Sequence, residues 1–200
     1  MSENSNHKPQ TSNLYIGLVH YPVYNKAGET ITSGITNLDV HDISRSCLTY
    51  GVKKYYLIHP NQRQKEIFER LLNFWKSEVA TFYNQHRVDA LTVINFADTI
   101  EDTIKYINNQ EGNDPILITT TARYRQDQIS FEYTKELIKT SERPILLLFG
   151  TGNGLHDSIH DIADHVLVPI QATAKYNHLS VRSAVAIILD RLFSEEYREE

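Results

Sequence analysis

A single cysteine, Cys47, stands among 200 residues. That excludes an intrachain disulfide and a four-thiolate zinc site, and it suits a reducing compartment. No apolar run approaches the roughly 20 residues that span a bilayer as a helix. Residues 1–13 are polar and hold no apolar segment of the kind a secretory leader needs, so the expectation is a soluble, cytoplasmic protein. Neither a Gly-x-Ser-x-Gly elbow nor a His-Glu-x-x-His motif occurs, which argues against Ser-His-Asp hydrolysis and against a zinc protease centre. His156 and His160 lie four apart with His165 beyond, but no thiolate accompanies them, and no metal is expected. The first apolar run leads into Tyr21-Pro22 rather than into glycines, which argues against a dinucleotide fingerprint there. Positive charge is also short: 20 Lys+Arg against 25 Asp+Glu give a formal charge of −5, part of the acidity lying in residues 195–200. Strong non-specific binding to nucleic acid runs on phosphate neutralisation and is disfavoured by that balance. Local patches remain: Arg123 and Arg125 flank Tyr124, and Lys175 and Arg182 flank the segment 176–181. They are either ordinary solvated charges or a basic rim.

The chain is long enough for one domain. Residues 1–13 have little to bury and are expected to form a disordered tail, with a single domain over 14–200. Short apolar runs bounded by turn formers predict strands over 14–23, 54–59, 91–97, 115–120, 145–150 and 165–170. Helices are predicted between them, over 40–50, 62–85, 98–109, 129–140, 155–163 and 178–193. In the second, Ile67, Leu71, Trp75 and Val79 repeat every four residues; in the third, Asp98 and Glu101 suggest a capping box. Six strands alternating with helices predict an α/β fold with a mainly parallel six-stranded sheet flanked by helices. Residues 25–37, rich in Gly, Thr and Ser, follow the first strand and are expected to loop over the sheet's ligand-binding edge.

Two segments in the last third of the chain carry the chemistry. Ile145-Leu-Leu-Leu-Phe-Gly-Thr-Gly-Asn-Gly-Leu155 reads as a buried strand opening into a tight loop whose glycines let backbone approach a ligand. Tyr176-Asn-His-Leu-Ser-Val-Arg-Ser-Ala-Val-Ala-Ile-Ile-Leu-Asp190 places Asn177 and Ser180 at the start of a strongly apolar helix. Two such loops at the carboxyl ends of parallel strands make a small-molecule crevice.

The order of features is Arg45 six residues before Gly51, a strand, the late Gly-rich loop, Val168-Pro169-Ile170, then Asn177-His-Leu-Ser-Val181. It resembles the SPOUT (α/β-knot) superfamily of S-adenosylmethionine (SAM)-dependent RNA methyltransferases. Within it, a small bacterial family carries the pattern Thr-Asn-Leu-Asp-x-His-Asp-Ile, present here from Thr36 to Ile43. The resemblance covers residues 14–192. It implies a deep trefoil knot at the carboxyl end and a methyl donor held bent between loops 119–122, 149–155 and 170–181. The donor-binding residues implied are Thr119, Thr120, Thr121, Phe149, Gly150, Thr151, Gly152, Asn153, Gly154, Leu155, Ile170, Tyr176, Asn177, His178, Leu179 and Ser180. It also implies a homodimer, in which the donor pocket of one subunit works with residues of the other on an RNA substrate, tRNA or rRNA.

In the ribose 2′-O-methylating branch an arginine at the place of Arg45 assists attack by the hydroxyl, and the resemblance makes Arg45 the catalytic candidate. A guanidinium can hold a phosphate bidentately or stabilise a developing alkoxide, but it is a poor general base. The competing account is a surface salt bridge with Asp39 or Asp42. The ribose branch carries Asn-x-Ser at the start of the last helix; here the row is Asn177-His178-Leu179-Ser180, which leaves ribose and base acceptors both open. His178 is then a candidate proton acceptor or a hydrogen-bonding residue at the helix start. Apolar Val185, Ile188 and Leu189 are candidates for core or dimer contact. The alternative to a methyltransferase is a regulatory module that binds SAM or another nucleotide without catalysis.

Overall fold

The computed structural model describes residues 12–171, 173–174 and 176–194. Lys175, the acidic residues 195–200 and all of the polar tail but Ser12 and Asn13 therefore lie outside the described residues. Ser12 and Asn13 are anchored: the Ser12 hydroxyl donates to the Gly51 carbonyl at 2.8 Å, and the Asn13 amide to the Arg143 carbonyl at 2.7 Å.

The strands are β1 (Leu14–Val19), β2 (Val23–Tyr24), β3 (Thr30–Ile31), β4 (Lys54–Ile58), β5 (Ile94–Ala97), β6 (Ile116–Thr119), β7 (Ile145–Gly150) and β8 (His165–Val166). Six of them form one sheet in the order β5-β4-β1-β7-β6-β8, every pairing parallel. The helices are α1 (Asn37–Thr49), α2 (Gln62–Trp75), α3 (Glu78–Tyr83), α4 (Gln85–Ala90), α5 (Ile100–Glu111), α6 (Phe131–Thr140), α7 (Asp157–Asp161) and α8 (Val181–Phe193).

The continuous apolar runs of β1 and β7 are explained by burial on both faces. Leu14, Ile16 and Leu18 of β1, with Ile145, Leu147 and Phe149 of β7, point into one core with α1, α2, α6 and α8. Tyr15, Val19, Leu146 and Leu148 point into the other, against α5 and α7. Val185, Ile188 and Leu189 of α8 are buried in the first core, which settles their place as core residues.

Several boundaries differ from the sequence expectations. The run over 62–85 divides into α2 and α3, with α4 starting at its end, because Ser77 and Asn84 cap new starts by accepting from the Ala80 and Arg87 amides. Of the four-residue repeat, Leu71 and Trp75 reach the core, beside Phe68, whereas Ile67 and Val79 are exposed, so the stripe holds only in its middle. The N-cap of α5 is Thr99 rather than Asp98, its hydroxyl accepting from the Asp102 amide. The first strand ends at Val19, before the cis Tyr21-Pro22 bond, and residues 25–37 include β3, which pairs antiparallel with β2.

Candidate functional site

The carboxyl ends of β1, β6 and β7 open on one side of the sheet, and four segments meet there around a cavity of about 1170 Å³. Residues 120–123 follow β6, residues 149–154 close β7, and residues 177–181 lead into α8, with Val168 and Ile170 between. The fourth wall is the β1–α1 connection, through Lys26, Ser33, Gly34, Thr36 and Asp39.

The walls are tied to one another. Asn153 donates its backbone N–H to the Tyr24 carbonyl at 2.8 Å, and Tyr24 donates to the Gly154 carbonyl at 2.9 Å, so β2 clamps the glycine loop. Thr151 donates its hydroxyl to the Val19 carbonyl at 3.1 Å and pairs with the Ser33 hydroxyl, joining that loop to the β1–α1 connection. Thr120 donates its hydroxyl to the Leu148 carbonyl at 3.0 Å. The Asn177 side-chain amide donates to the Ala122 carbonyl at 3.2 Å, which joins the α8 approach to the loop after β6. Ser180 is the N-cap of α8, accepting from the Ser183 amide.

The structure thus brings Thr120, Thr121, Phe149, Gly150, Thr151, Gly152, Asn153, Gly154, Ile170, Asn177, His178, Leu179 and Ser180 to one cavity. Three residues of the expected set do not line it. Thr119 is buried and hydrogen-bonded to His160 Nδ1 at 2.8 Å. Leu155 turns into the second core. Tyr176 is 74% exposed, its ring edge against His178. The imidazoles 156, 160 and 165 do not converge: His156 caps α7, His160 faces Thr119, and His165 meets the Tyr133 ring.

Arg45 does not line the cavity of its own chain. It is exposed on α1. The salt bridge considered for it is made by another residue: Arg182 of α8 reaches Asp39 at 3.2 Å and Asp42 at 3.4 Å. Asp39 lines the cavity, a place not foreseen from the sequence, where it was considered only as an ion-pair partner of Arg45. Besides the Thr36–Ile43 pattern, a local signal was Thr36-x-x-Asp39, a capping pattern; Thr36 is the N-cap of α1, accepting from the Asp39 amide.

Two histidines near the site are held neutral. Burial, then the neighbouring His59, pushes the His20 imidazole down from 6.5 to about 4; burial, then Arg125, pushes His160 down to about 4. In the unfolded chain both protonate near 6.5, whereas the folded chain resists until about 4. Stability is therefore full above about 6.5 and falls as the pH drops toward 4. The slope reaches about 1.4 kcal/mol per pH unit for each group. Melting temperatures measured across that window should fall steadily, and His160→Asn should flatten part of the slope; a variant with the wild-type slope would contradict the assignment.

The cavity suits a molecule with a flat heterocycle and polar edges. Val168, Ile170, Leu179, Ala184 and Ile188 supply apolar surface, and the loop backbones and Thr, Asn and Ser side chains supply donors and acceptors. The sequence comparisons agree with that chemistry. The family model for SAM-dependent RNA methyltransferases matches residues 13–194, and the chain belongs to that family. Its methyl donor is SAM. The chain is 37% identical over 182 residues to an uncharacterized protein of Aquifex aeolicus, covering 91% of this chain and 89% of that one. It is 39% identical over 183 residues to a protein of Oleidesulfovibrio alaskensis named tRNA (guanine-N(1)-)-methyltransferase, covering 92% of this chain but only 42% of that protein. In fold it is similar to the Aquifex aeolicus TrmH/SpoU tRNA modifying enzyme, with a TM-score of 0.55, 18% identity, and 90% and 74% of the two chains covered. The fold is that of the SPOUT methyltransferases.

Proposed function

We propose that the chain binds SAM between residues 120–121, 149–154 and 170–180 and transfers its methyl group to a tRNA nucleotide, acting in the cytoplasm as a knotted homodimer. The observation that carries this reading is the meeting of the three late loops with the β1–α1 connection in one cavity. At about 1170 Å³ it exceeds the roughly 300–1,000 Å³ usual for one small ligand. A donor and an acceptor nucleotide can share it, with exposed Lys26 and Arg123 on its wall to meet phosphate. The printed name of the Oleidesulfovibrio relative supports tRNA as the acceptor class. More than half of that relative lies outside the match, so its name supports no particular atom.

A knot is supported by the path of the chain: β8 is the sheet edge beyond β6, whereas α8, which follows it, packs on α1 and on β7. The dimer is supported by the exposed face of α1, where Leu38 and Leu48 stand out to solvent with Arg45 between them. Among the described residues no helix is long and apolar enough to cross a membrane.

The test is methyl transfer from labelled SAM to small RNA purified from a strain lacking the gene, followed by nucleoside mass spectrometry. One methylated nucleoside should appear that is absent from that strain's untreated RNA. Donor binding without transfer to any RNA would overturn the proposal in favour of a regulatory SAM-binding module.

A further inference from the structure

Asp39 is the single carboxylate among the described side chains that line the cavity. Methyl transfer from SAM leaves two charges to settle: the positive sulfonium of the donor, and the proton that the acceptor sheds. A buried carboxylate in the same cavity is suited to both.

The side chain is held in place. Asp39 is 5% exposed. Thr36 Oγ1 donates to its Oδ2 at 2.5 Å, and Arg182 Nη1 donates to its Oδ1 at 3.2 Å. A carboxylate oxygen has two acceptor directions, so each keeps one after these contacts. Arg182 is shared with Asp42, whose Oδ2 lies 3.4 Å from Nε. One guanidinium between two carboxylates leaves the group with a net negative charge. His20, which senses the charge of Asp39, adds no compensating cation, since burial and the neighbouring His59 hold its imidazole neutral.

We infer that Asp39 is the counter-anion of the donor sulfonium and the proton acceptor in methyl transfer; the inference rests on the reading that this cavity holds SAM and an RNA nucleotide. In the step, a lone pair on the acceptor oxygen or nitrogen forms the bond to the methyl carbon. The carbon–sulfur bond breaks and its electron pair stays on sulfur, which becomes a neutral thioether. The acceptor's proton passes to Asp39, which becomes a carboxylic acid and releases it to water after product leaves. One positive and one negative charge disappear together, which a poorly solvated site favours over creating either alone. The acceptor end of the cavity is then the β1–α1 wall of Ser33, Gly34 and Thr36, beside Asp39.

Asp39→Asn keeps the acceptor for the Thr36 hydroxyl and removes the charge. Calorimetry on the full chain with SAM and with its demethylated product should show SAM affinity falling about tenfold, as for the loss of one close charge pair. The neutral thioether product should bind within about twofold of wild type. With small RNA from the strain lacking the gene, kcat should fall on the order of a thousandfold while KM for RNA stays unchanged. Equal losses for SAM and product, or a wild-type kcat, would overturn the inference. If the Asn variant does not fold, Asp39→Glu decides: it should keep the preference for SAM over product and lose kcat on the order of ten- to a hundredfold, because the carboxylate is displaced by one methylene. A Glu variant at the wild-type rate overturns the inference too. Wild-type protein that transfers no methyl group to RNA sinks the methyltransferase reading and this role with it, whereas equal transfer by wild type and variants sinks the role alone.

Discussion

Gly152→Val is expected to abolish SAM binding, with affinity lost more than a hundredfold on the order set by removing a pocket wall. Gly152 has φ +59°, in the left-handed region that a β-branched residue avoids. A Cβ there would stand 2.7 Å from the Tyr24 carbonyl oxygen, which already accepts from the Asn153 amide. The valine therefore strikes the clamp that holds the loop to β2. The loop has to swing away from β2, carrying Asn153 and Gly154 from the cavity wall. Backbone strain of this kind costs about 1–3 kcal/mol, against a sheet whose central strands are buried on both faces, so the fold should survive. The far-ultraviolet spectrum should be that of wild type, with the melting temperature lowered by several degrees. Gly34→Ala is the control: a Cβ at Gly34 meets nothing within 4 Å, and donor affinity should stay within about twofold of wild type. Wild-type affinity in the Val variant would mean that the glycine loop does not bound the donor.

Periodicity and turn formers located the six strands of the main sheet and bounded β4, β6 and β7 to within a residue at each end, but overran the others. The predicted run 165–170 contains only a two-residue strand, because after β8 the chain leaves the sheet to line the cavity through Val168 and Ile170. The run 91–97 begins as a strand only at Ile94, since Leu91 closes α4 as its C-cap. Composition alone does not distinguish an apolar residue that pairs from one that packs beside the sheet. The break of 62–85 into α2 and α3, and the new start of α4 at its end, were signalled by Ser77 and Asn84, good capping residues in an apparently continuous pattern.

The candidate site divides in the same way. Its glycine loop and α8 approach were legible because glycine spacing and a polar step before an apolar helix are local features. The fourth wall was legible in part: residues 25–37 were expected at this edge and supply Lys26, Ser33, Gly34 and Thr36, but which of their side chains face the cavity, and that Asp39 joins them, was not. Asp39, Thr36 and Ser33 belong to the cavity only because β1 lies beside β7 in the sheet, a long-range pairing that no local pattern records. Arg182 was noticed only as a flanking charge, and its pairing with Asp39 and Asp42 joins α8 to α1. That pairing also changes the account of Arg45, whose two candidate partners are taken. Among the described residues no ion pair or side-chain hydrogen bond engages its guanidinium, and it remains an exposed cation on α1.

Arg45→Ala should lower kcat on the order of a hundredfold, about 3 kcal/mol of transition-state stabilisation, and leave SAM affinity within about twofold of wild type. The separation follows from position. Arg45 bounds no part of its own chain's cavity, so its loss leaves the donor walls intact. For the same reason its action on the acceptor requires delivery to the cavity of a second copy, with the guanidinium placed against an RNA phosphate or the developing negative charge. Arg45→Lys should recover little, because an ammonium cannot reproduce the planar fork. Mixing decides between the copies. Arg45→Ala and Gly152→Val are each inactive for different reasons, and a dimer carrying one of each has a single cavity with an intact donor wall and the partner's intact arginine. Co-refolded mixtures should therefore recover a substantial part of wild-type activity, and light scattering should give twice the 23.1 kDa chain mass. No recovery in demonstrated mixed dimers would place the action of Arg45 within one chain. A wild-type rate for Arg45→Ala would reduce it to a solvated charge, and a collapse of SAM binding would make it part of the donor site or of the fold.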